Sequence, residues 1–349
     1  MTYVNIKDRC IGDEYETVFL AEVNSAFDQN LEEGKRMIKA AAEAGADFLK
    51  AEILRSTDIV LNDHTKYFYN YGFEGKTKSE RWFDIVKRKV NTLDFYREMF
   101  EYSRKIGLEF IVSVYDLESI NFLVDIDAAA IKIPSSNLNH EPLIQAASET
   151  KIPLVLDTGK AYLGEVGRAL TWTEKYGAKN VIINHHPGQQ GSAEIQNLKT
   201  IQTYKKTFNI PVGLSCHYVG DEVLYTAIGM GANLLEKPIS FNPSKADIDT
   251  NFAINIKDLK TVIKKVKCSW QAIGRSKPNY IHNREMSQEM CVVAKHDLSN
   301  NSKINIDNFM FAWPCKGISV EFWSRIKDKT LVRALSKGEL LSWGDINFG

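Results

Sequence analysis

No stretch of the chain approaches the ~20 consecutive apolar residues that a membrane-spanning helix needs, and the opening MTYVNIKDRCIGDEYET has no apolar signal core. Membrane and export functions are set aside on these grounds, and a cytoplasmic location is the expectation. Cysteine is sparse: Cys10, Cys216, Cys268, Cys291 and Cys315 are scattered, odd in number and free of C-x-x-C spacing. They imply no disulfide framework and read as reduced thiols. Net charge is absent too, with 44 basic residues against 44 acidic ones and no block of like charge, so nothing draws a polyanion and nucleic acid is not an expected partner. Neither a repeat of 20–50 residues nor a low-complexity tract is present.

What remains is an ordinary globular composition, 44% hydrophobic and 25% charged over 349 residues, long enough for one large domain and one small one. Between residues 17 and 237 short apolar runs alternate with longer segments of helical period. The runs are TVFLAEV, ADFLKAE, LEFIVSV, AAAIKIP, PLVLDTG, NVIINHH, PVGLSCH and ANLLEKP. Leu31, Ile38, Ala41 and Ala42 can share one helical face, closed by Gly45 as a C-cap. Strand and helix in alternation point to a parallel sheet with crossover helices. Eight such units without a glycine-rich dinucleotide fingerprint favour a closed (β/α)8 TIM barrel over an open doubly wound sheet. A longer insertion at about residues 54–90 would sit on the catalytic face, as a lid or as a loop packed by its own aromatics. A barrel domain over residues 1–275 and a second domain over 280–349 follow.

Barrel enzymes work at the C-terminal ends of their strands, so the polar residues that close the runs are the ones to inspect. They include Glu22, Lys50, Glu52, Ser113, Lys132, Ser135, Ser136, Asp157, His185, His186, Ser215, His217, Glu236 and Lys237. One strand-end lysine is commonly a solvated side chain. Two of them, Lys50 and Lys132, accompanied by Ser113, Ser135 and Ser215, form the combination that a phosphate or carboxylate needs in a partly desolvated site. His217, His185 and His186 are candidate metal ligands or proton carriers, with a hydrogen-bonded structural role as the plainer alternative for His185 or His186. Cys216 adjoins His217, but neighbours on a strand point to opposite faces, so a packed thiol is expected rather than a nucleophile pair.

At these residues the chain resembles the N-acetylneuraminate (sialic acid, nonulosonate) synthase family. AEVNSAFDQNLEEGKRMIKAAAEAGADFLKAE is similar to that family's first strand-helix-strand, FIVSVYDLESINFLVDI to its F-L-S-T-P-F-D-x-E-S segment, and AAAIKIPSSNLNHEPLI to K-I-x-S-x-[DE]. PLVLDTGKA resembles S-T-G-M, PVGLSCHYVGDEV resembles G-x-S-D-H-T-x-G, and GANLLEKPI resembles G-A-x-x-I-E-K-H-F. CVVAKHDL, WPCKGIS and ALSKGELLSWGDI resemble pieces of the family's C-terminal antifreeze-like (SAF) domain. The resemblance implies a transferase of carbohydrate and polysaccharide biosynthesis that condenses phosphoenolpyruvate with an aldehyde sugar. By motif, the phosphoenolpyruvate would be held by Lys50, Ser113, Lys132, Ser135 and Ser215. It further implies a homodimer exchanging SAF domains and a divalent metal, manganese or magnesium, held by the S-D-H and E-K-H histidines.

The departures are specific. His217 keeps the first metal position and Pro238 takes the second, while Asp157 replaces a phosphoenolpyruvate-contacting serine. A rebuilt metal site using His217 with Asp157, His185 or Glu236 would reconcile both changes. On the sugar side the family's N-H-[EN]-G turn reads Ala26-Phe27-Asp28-Gln29, its H-C-T-x run reads Asn184-His185-His186-Pro187, Asn137 replaces an acid, and Trp313-Pro314-Cys315 replaces R-P-G. Asp28 and Asp249 are the candidates to hold sugar hydroxyls, with turn capping as the alternative role. Two rival readings are a metal-independent aldolase using Lys132 or Lys50 as a Schiff base, and a non-catalytic sugar-binding barrel.

Overall fold

The structure, a computed structural model, describes residues 3–24, 27, 29–72, 76–188, 192–274 and 289–349. The chain divides into two compact units, Met1–Gly274 and Arg275–Gly349.

The first unit opens with an antiparallel hairpin, β1 (Tyr3–Ile6) and β2 (Arg9–Gly12), followed by β3 (Val18–Asn24), α1 (Leu31–Ala44) and β4 (Phe48–Glu52). Asn30 caps α1 by accepting from the Glu33 N–H, and Gly45 ends it in the left-handed conformation at φ 88°. Gly34, Met37, Ile38 and Ala41 form the buried stripe of α1, the 3–4 spacing of one helical face. The 54–90 insertion carries a second antiparallel hairpin, β5 (Lys66–Tyr71) and β6 (Lys76–Arg81), and the short α2 (Trp82–Lys87). Its aromatics pack on one another, with the Tyr67 ring 4.8 Å from Trp82 and 6.3 Å from Tyr69. Beyond it, Lys89 anchors the segment through a buried pair with Asp247 at 2.8 Å.

Then come α3 (Leu93–Lys105), β7 (Phe110–Ser113), α4 (Leu117–Asp125), β8 (Ala130–Ile133), α5 (Glu141–Glu149), β9 (Leu154–Asp157), α6 (Leu163–Lys175), β10 (Val181–His185), α7 (Lys199–Phe208), β11 (Val212–Ser215), α8 (Glu222–Gly229) and β12 (Leu234–Ser240). A two-residue β13 (Ile254–Asn255) precedes α9 (Ile256–Ile273). All eight apolar runs become strands. They pair in parallel in the order β3-β4-β7-β8-β9-β10-β11-β12, and β12 returns to β3, closing the (β/α)8 barrel.

Alternation along each strand divides the core. Phe19, Ala21, Leu49, Val112, Ile131 and Leu214 face the helices. Leu20, Phe48, Ile111, Ala130, Val155 and Leu234 form a separate inner cluster, joined by Val4, Ile6 and Ile11 of the β1-β2 hairpin. That hairpin therefore plugs the end of the barrel where the strands begin. The inner layer is packed solid, as a barrel of this size requires.

The second unit contains the antiparallel pair β14 (Cys291–Ala294) and β15 (Phe309–Ala312), a short α10 (Trp323–Ile326), and the pair β16 (Thr330–Leu331) and β17 (Ile346–Asn347). Val292, Ala294, Leu298, Ile304, Phe309 and Ile318 are among its core. Among the described residues no helix is long and apolar enough to cross a membrane.

Candidate active site

One pleat further along the same inward rows, the side chains change from apolar to charged. Glu22, Lys50, Ser113, Lys132, Asp157, Asn184, Ser215 and Glu236 form a continuous buried layer at the C-terminal ends of the strands. Register fixes their neighbours: Ser113 lies opposite Glu52 on one side and Lys132 on the other, and Ser215 lies opposite Glu236.

Each lysine sits between two carboxyl groups. Lys50 donates to Glu22 at 2.5 Å and Glu52 at 2.9 Å, and the Tyr115 hydroxyl donates to the same Glu52 oxygen at 3.0 Å. Lys132 donates to Glu236 and stands 2.8 Å from Asp157 Oδ2. Glu236 also accepts from Asn184 at 3.2 Å and Ser215 at 3.3 Å. A Cβ on Gly213 would lie 2.2 Å from the Asn184 side-chain oxygen, so the absence of a side chain there makes room for that amide.

Burial and charge compete throughout the layer. Burial pushes the Glu22 carboxyl up to about 8 against the pull of Lys50, and lifts Asp157 to about 6 against Lys132. For Glu236 burial also raises the pKa, but Lys132 and Lys50 outweigh it and hold the group below its ordinary value. Desolvation works against both ammonium groups, yet their carboxylate neighbours raise both above the ordinary lysine value. Among the described residues, four buried polar atoms of the layer find no hydrogen-bond partner: Glu22 Oε2, Ser113 Oγ, Asp157 Oδ1 and Asn184 Oδ1. Buried orphans of this kind mark a place where a ligand completes the hydrogen bonding.

Other expected residues fall around this layer. Ser135 accepts from the Gly159 N–H at 2.9 Å, and a Cβ on Gly159 would meet Ser135 Oγ at 2.6 Å, which explains the glycine of the D-T-G turn. Asp249 is half-buried in the segment after β12, and its carboxyl is pushed up to about 6 by burial and then by Glu52. Asp28 lies outside the described residues.

The histidines divide between the two roles, and His185 takes the hydrogen-bonded structural one. His185 packs among the helix-side groups, with Nε2 2.8 Å from the Gln196 carbonyl and its ring beside Tyr204. His186 is the one that meets His217, ring centroids 4.2 Å apart, and His217 also stacks on Phe252 at 4.4 Å. Both rings stay neutral: burial, followed by Lys132, pushes His186 down to about 3, and burial, followed by His186, holds His217 well below the usual range.

Among the described residues no three histidine, cysteine, aspartate or glutamate side chains are placed to hold a metal ion. The grouping expected from the sequence is not assembled. Glu236 and Asp157 are tied to Lys132, His185 is turned to Gln196, and Pro238 supplies no donor. In this structure those expected donors are engaged elsewhere, and His217 instead lies beside the neutral His186 ring. Cys216 faces the helices, where Lys237 donates to its sulfur at 3.4 Å, as the alternation along β11 requires.

Sequence reasoning did not pair Lys50 with Glu52 and Tyr115, nor His217 with His186. Counting by two from the inward Ile182 finds Asn184 and His186 and excludes His185.

Comparison with known proteins places this geometry in context. The NeuB family model matches residues 37–278. An N,N'-diacetyllegionaminic acid synthase of Legionella pneumophila is 26% identical over 96% of each chain, and a pseudaminic acid synthase of Campylobacter jejuni is 24% identical over 93% of this chain and 95% of the other. The crystal structure of an N-acetylneuraminic acid (sialic acid) synthetase from Leptospira borgpetersenii, in complex with citrate, matches in fold with a TM-score of 0.71 at 22% identity, over 79% of this chain and 92% of that one.

Proposed function

This chain belongs to the NeuB family, and from that premise we propose that it is a transferase of the sialic acid synthase type. It condenses phosphoenolpyruvate with the open-chain aldehyde of an N-acylated aldose to give a 2-keto-3-deoxy sugar acid. The observation that carries this reading is the inward pair Lys50 and Lys132, buried at the strand ends with Ser113 between their strands. Names of the relatives, synthases of legionaminic and pseudaminic acids, support the same class of product.

In the proposed reaction C3 of phosphoenolpyruvate forms a bond to the aldehyde carbon, and the carbonyl oxygen takes a proton to become a hydroxyl. Water adds to C2 and gives up a proton. The C2–O bond to phosphate then breaks, inorganic phosphate leaves and the 2-keto group remains. Lys50 and Lys132 hold the anionic ends of phosphoenolpyruvate, and the hydroxyls of Ser113, Ser135 and Ser215 donate to them. Asp249 receives sugar hydroxyls, with Asp28 proposed for the same task. No step is assigned to a metal.

Anion binding must compete with the carboxylates that hold the lysines in the unliganded site. Asp157, standing where the resemblance expects a serine, can donate a hydrogen bond to an anion only as the neutral acid. Its raised pKa, about 6, brings that form within reach of mildly acidic pH. A Schiff-base aldolase is the weaker reading, because carboxylate neighbours hold both lysines protonated and a protonated amine is no nucleophile. A cytoplasmic homodimer in which a C-terminal SAF domain is exchanged belongs to the same proposal, on the strength of the motif resemblance in residues 291–346.

The test is phosphate release from phosphoenolpyruvate in the presence of N-acylated aldoses, with mass analysis of the acidic product. Borohydride trapping with pyruvate separates the alternatives: a trapped lysine adduct would replace the condensation with the aldolase.

A further inference from the structure

Within the second unit two thiols share one small buried cluster. Cys291, at the start of β14, and Cys315, in the loop after β15, pack with Val293 apart from that unit's main core. Both are free in the structure. Strand pairing brings them together: Cys291 lies opposite Ala312 on one side and bridges Ser319 on the other. The chain from Ala312 to Ser319 therefore starts and ends against Cys291, and Cys315 lies within it.

Side-chain contacts close the remaining gap. The Cys291 thiol donates to the carbonyls of Ala312 and Pro314, each at 3.6 Å, and the Pro314 carbonyl belongs to the peptide group that leads into Cys315. The Cys315 thiol donates to the Gly317 carbonyl at 3.6 Å. Burial, followed by Cys291 beside it, pushes the Cys315 thiol up, so it stands neutral and not as the reactive thiolate. Access differs between the two. Cys291 is sealed in the sheet at 1% exposure, whereas Cys315, at 5%, is flanked by the exposed Pro314 and Lys316 and follows Trp313, which is 67% exposed. A reagent from solvent meets Cys315 first.

We infer that Cys291 and Cys315 form a modification site, a dithiol that a small-molecule disulfide such as oxidised glutathione converts into an intramolecular disulfide. The Cys315 thiol gives up its proton to solvent and its sulfur attacks one sulfur of oxidised glutathione, expelling a glutathione thiolate that takes up a proton. Cys291, likewise deprotonated, then attacks the Cys315 sulfur of this mixed disulfide and expels the second glutathione. Two thiols are oxidised to one disulfide while one glutathione disulfide is reduced to two thiols. In a reducing compartment the dithiol is the resting form. The bond closes the 25-residue span from Cys291 to Cys315 and ties the segment bearing Trp313 to β14. Cross-linking of this kind restricts the unfolded chain and raises the unfolding temperature.

The experiment treats the reduced full chain with oxidised glutathione, checks by circular dichroism that it is still folded, blocks remaining thiols in acid with N-ethylmaleimide, and digests it with trypsin without reductant. Peptides 285–295 and 304–316 should appear joined, two hydrogens lighter than their sum, and separate on addition of dithiothreitol. Melting of the oxidised chain should rise by about 5 °C or more over the reduced one. Cys291→Ala and Cys315→Ala should each abolish both the link and the rise; the peptide map of the unaltered chain decides the matter even if a variant fails to fold. Both thiols blocked by N-ethylmaleimide after excess oxidised glutathione, glutathione left on Cys315 without the link, or either cysteine joined instead to Cys10, Cys216, Cys268 or a second chain would overturn the inference.

Discussion

Two successive layers inside one barrel are built from the same strands and differ by a single pleat. The lower one holds Leu20, Phe48, Ile111, Ala130, Val155 and Leu234, sealed by the β1-β2 hairpin. The upper one holds Glu22, Lys50, Ser113, Lys132, Asp157 and Glu236, equally buried but charged. Both layers exclude water, so burial alone does not distinguish them. The lower layer gains free energy by leaving water, whereas the upper one must recover the solvation of its ions through mutual pairing. A fold that keeps such a layer retains it for chemistry.

Breaking the pairing should have the largest effect. Lys132→Met strands Asp157 and Glu236 without their cation. Phosphoenolpyruvate turnover should fall by at least about 100-fold and stability by about 3–5 kcal/mol at neutral pH, with part of that stability recovered in acid as the carboxylates protonate. Activity assays and urea unfolding at two pH values check both.

Phe48→Ala, in the lower layer, should cost a similar about 3–5 kcal/mol, read by urea unfolding. Calorimetry on the folded variant should find its affinity for phosphoenolpyruvate unchanged. Loss of affinity without loss of stability would erase the contrast between the layers.

The third prediction concerns pH. Glu22 and Asp157 have folded-state pKa values raised to about 8 and about 6 from ordinary values of 4.5 and 3.8. The folded state therefore binds more protons than the unfolded one between those limits. This contribution to stability is fully present below the unfolded values and is lost as pH rises through the folded ones. Below about pH 6.5 the buried neutral histidines oppose this trend, so unfolding free energy should decline between pH 7 and pH 8.5, and Glu22→Gln should flatten that decline. Urea titrations across the range provide the check.

The smallest effect is expected from Asp157→Ser. It removes one carboxylate from the anion site and leaves a hydroxyl donor, so phosphoenolpyruvate affinity should rise about tenfold at pH 8 and less at pH 5.5, where the aspartate is already largely protonated. Calorimetry at both pH values sharpens the comparison by showing how much of the charged layer opposes its own ligand.

Much of this architecture was legible in the sequence. Each apolar run became a strand because its short length and apolar content suited burial on both faces, and the strand-end rule led to Lys50, Lys132, Asp157, Ser215 and Glu236 without any knowledge of the sheet. What it missed depends on register and reach. In an adjacent pair such as His185 and His186, one faces inward and one outward, and the choice needs the strand's phase, fixed here by Ile182. The pairing of Lys50 with Glu22 joins neighbouring strands and that of Lys132 with Glu236 crosses the barrel axis; neither leaves a local pattern. The hairpin in the insertion was also unread, because KYFYNY has only one buried residue, Tyr69, and shows no clear alternation.

The most direct measurement is calorimetric binding of phosphoenolpyruvate to metal-stripped protein near pH 6.5, repeated with saturating manganese. Binding in both conditions, lost in Lys132→Met, is the result expected of an anion site built from two lysines without a metal cage. No binding in either condition would contradict it.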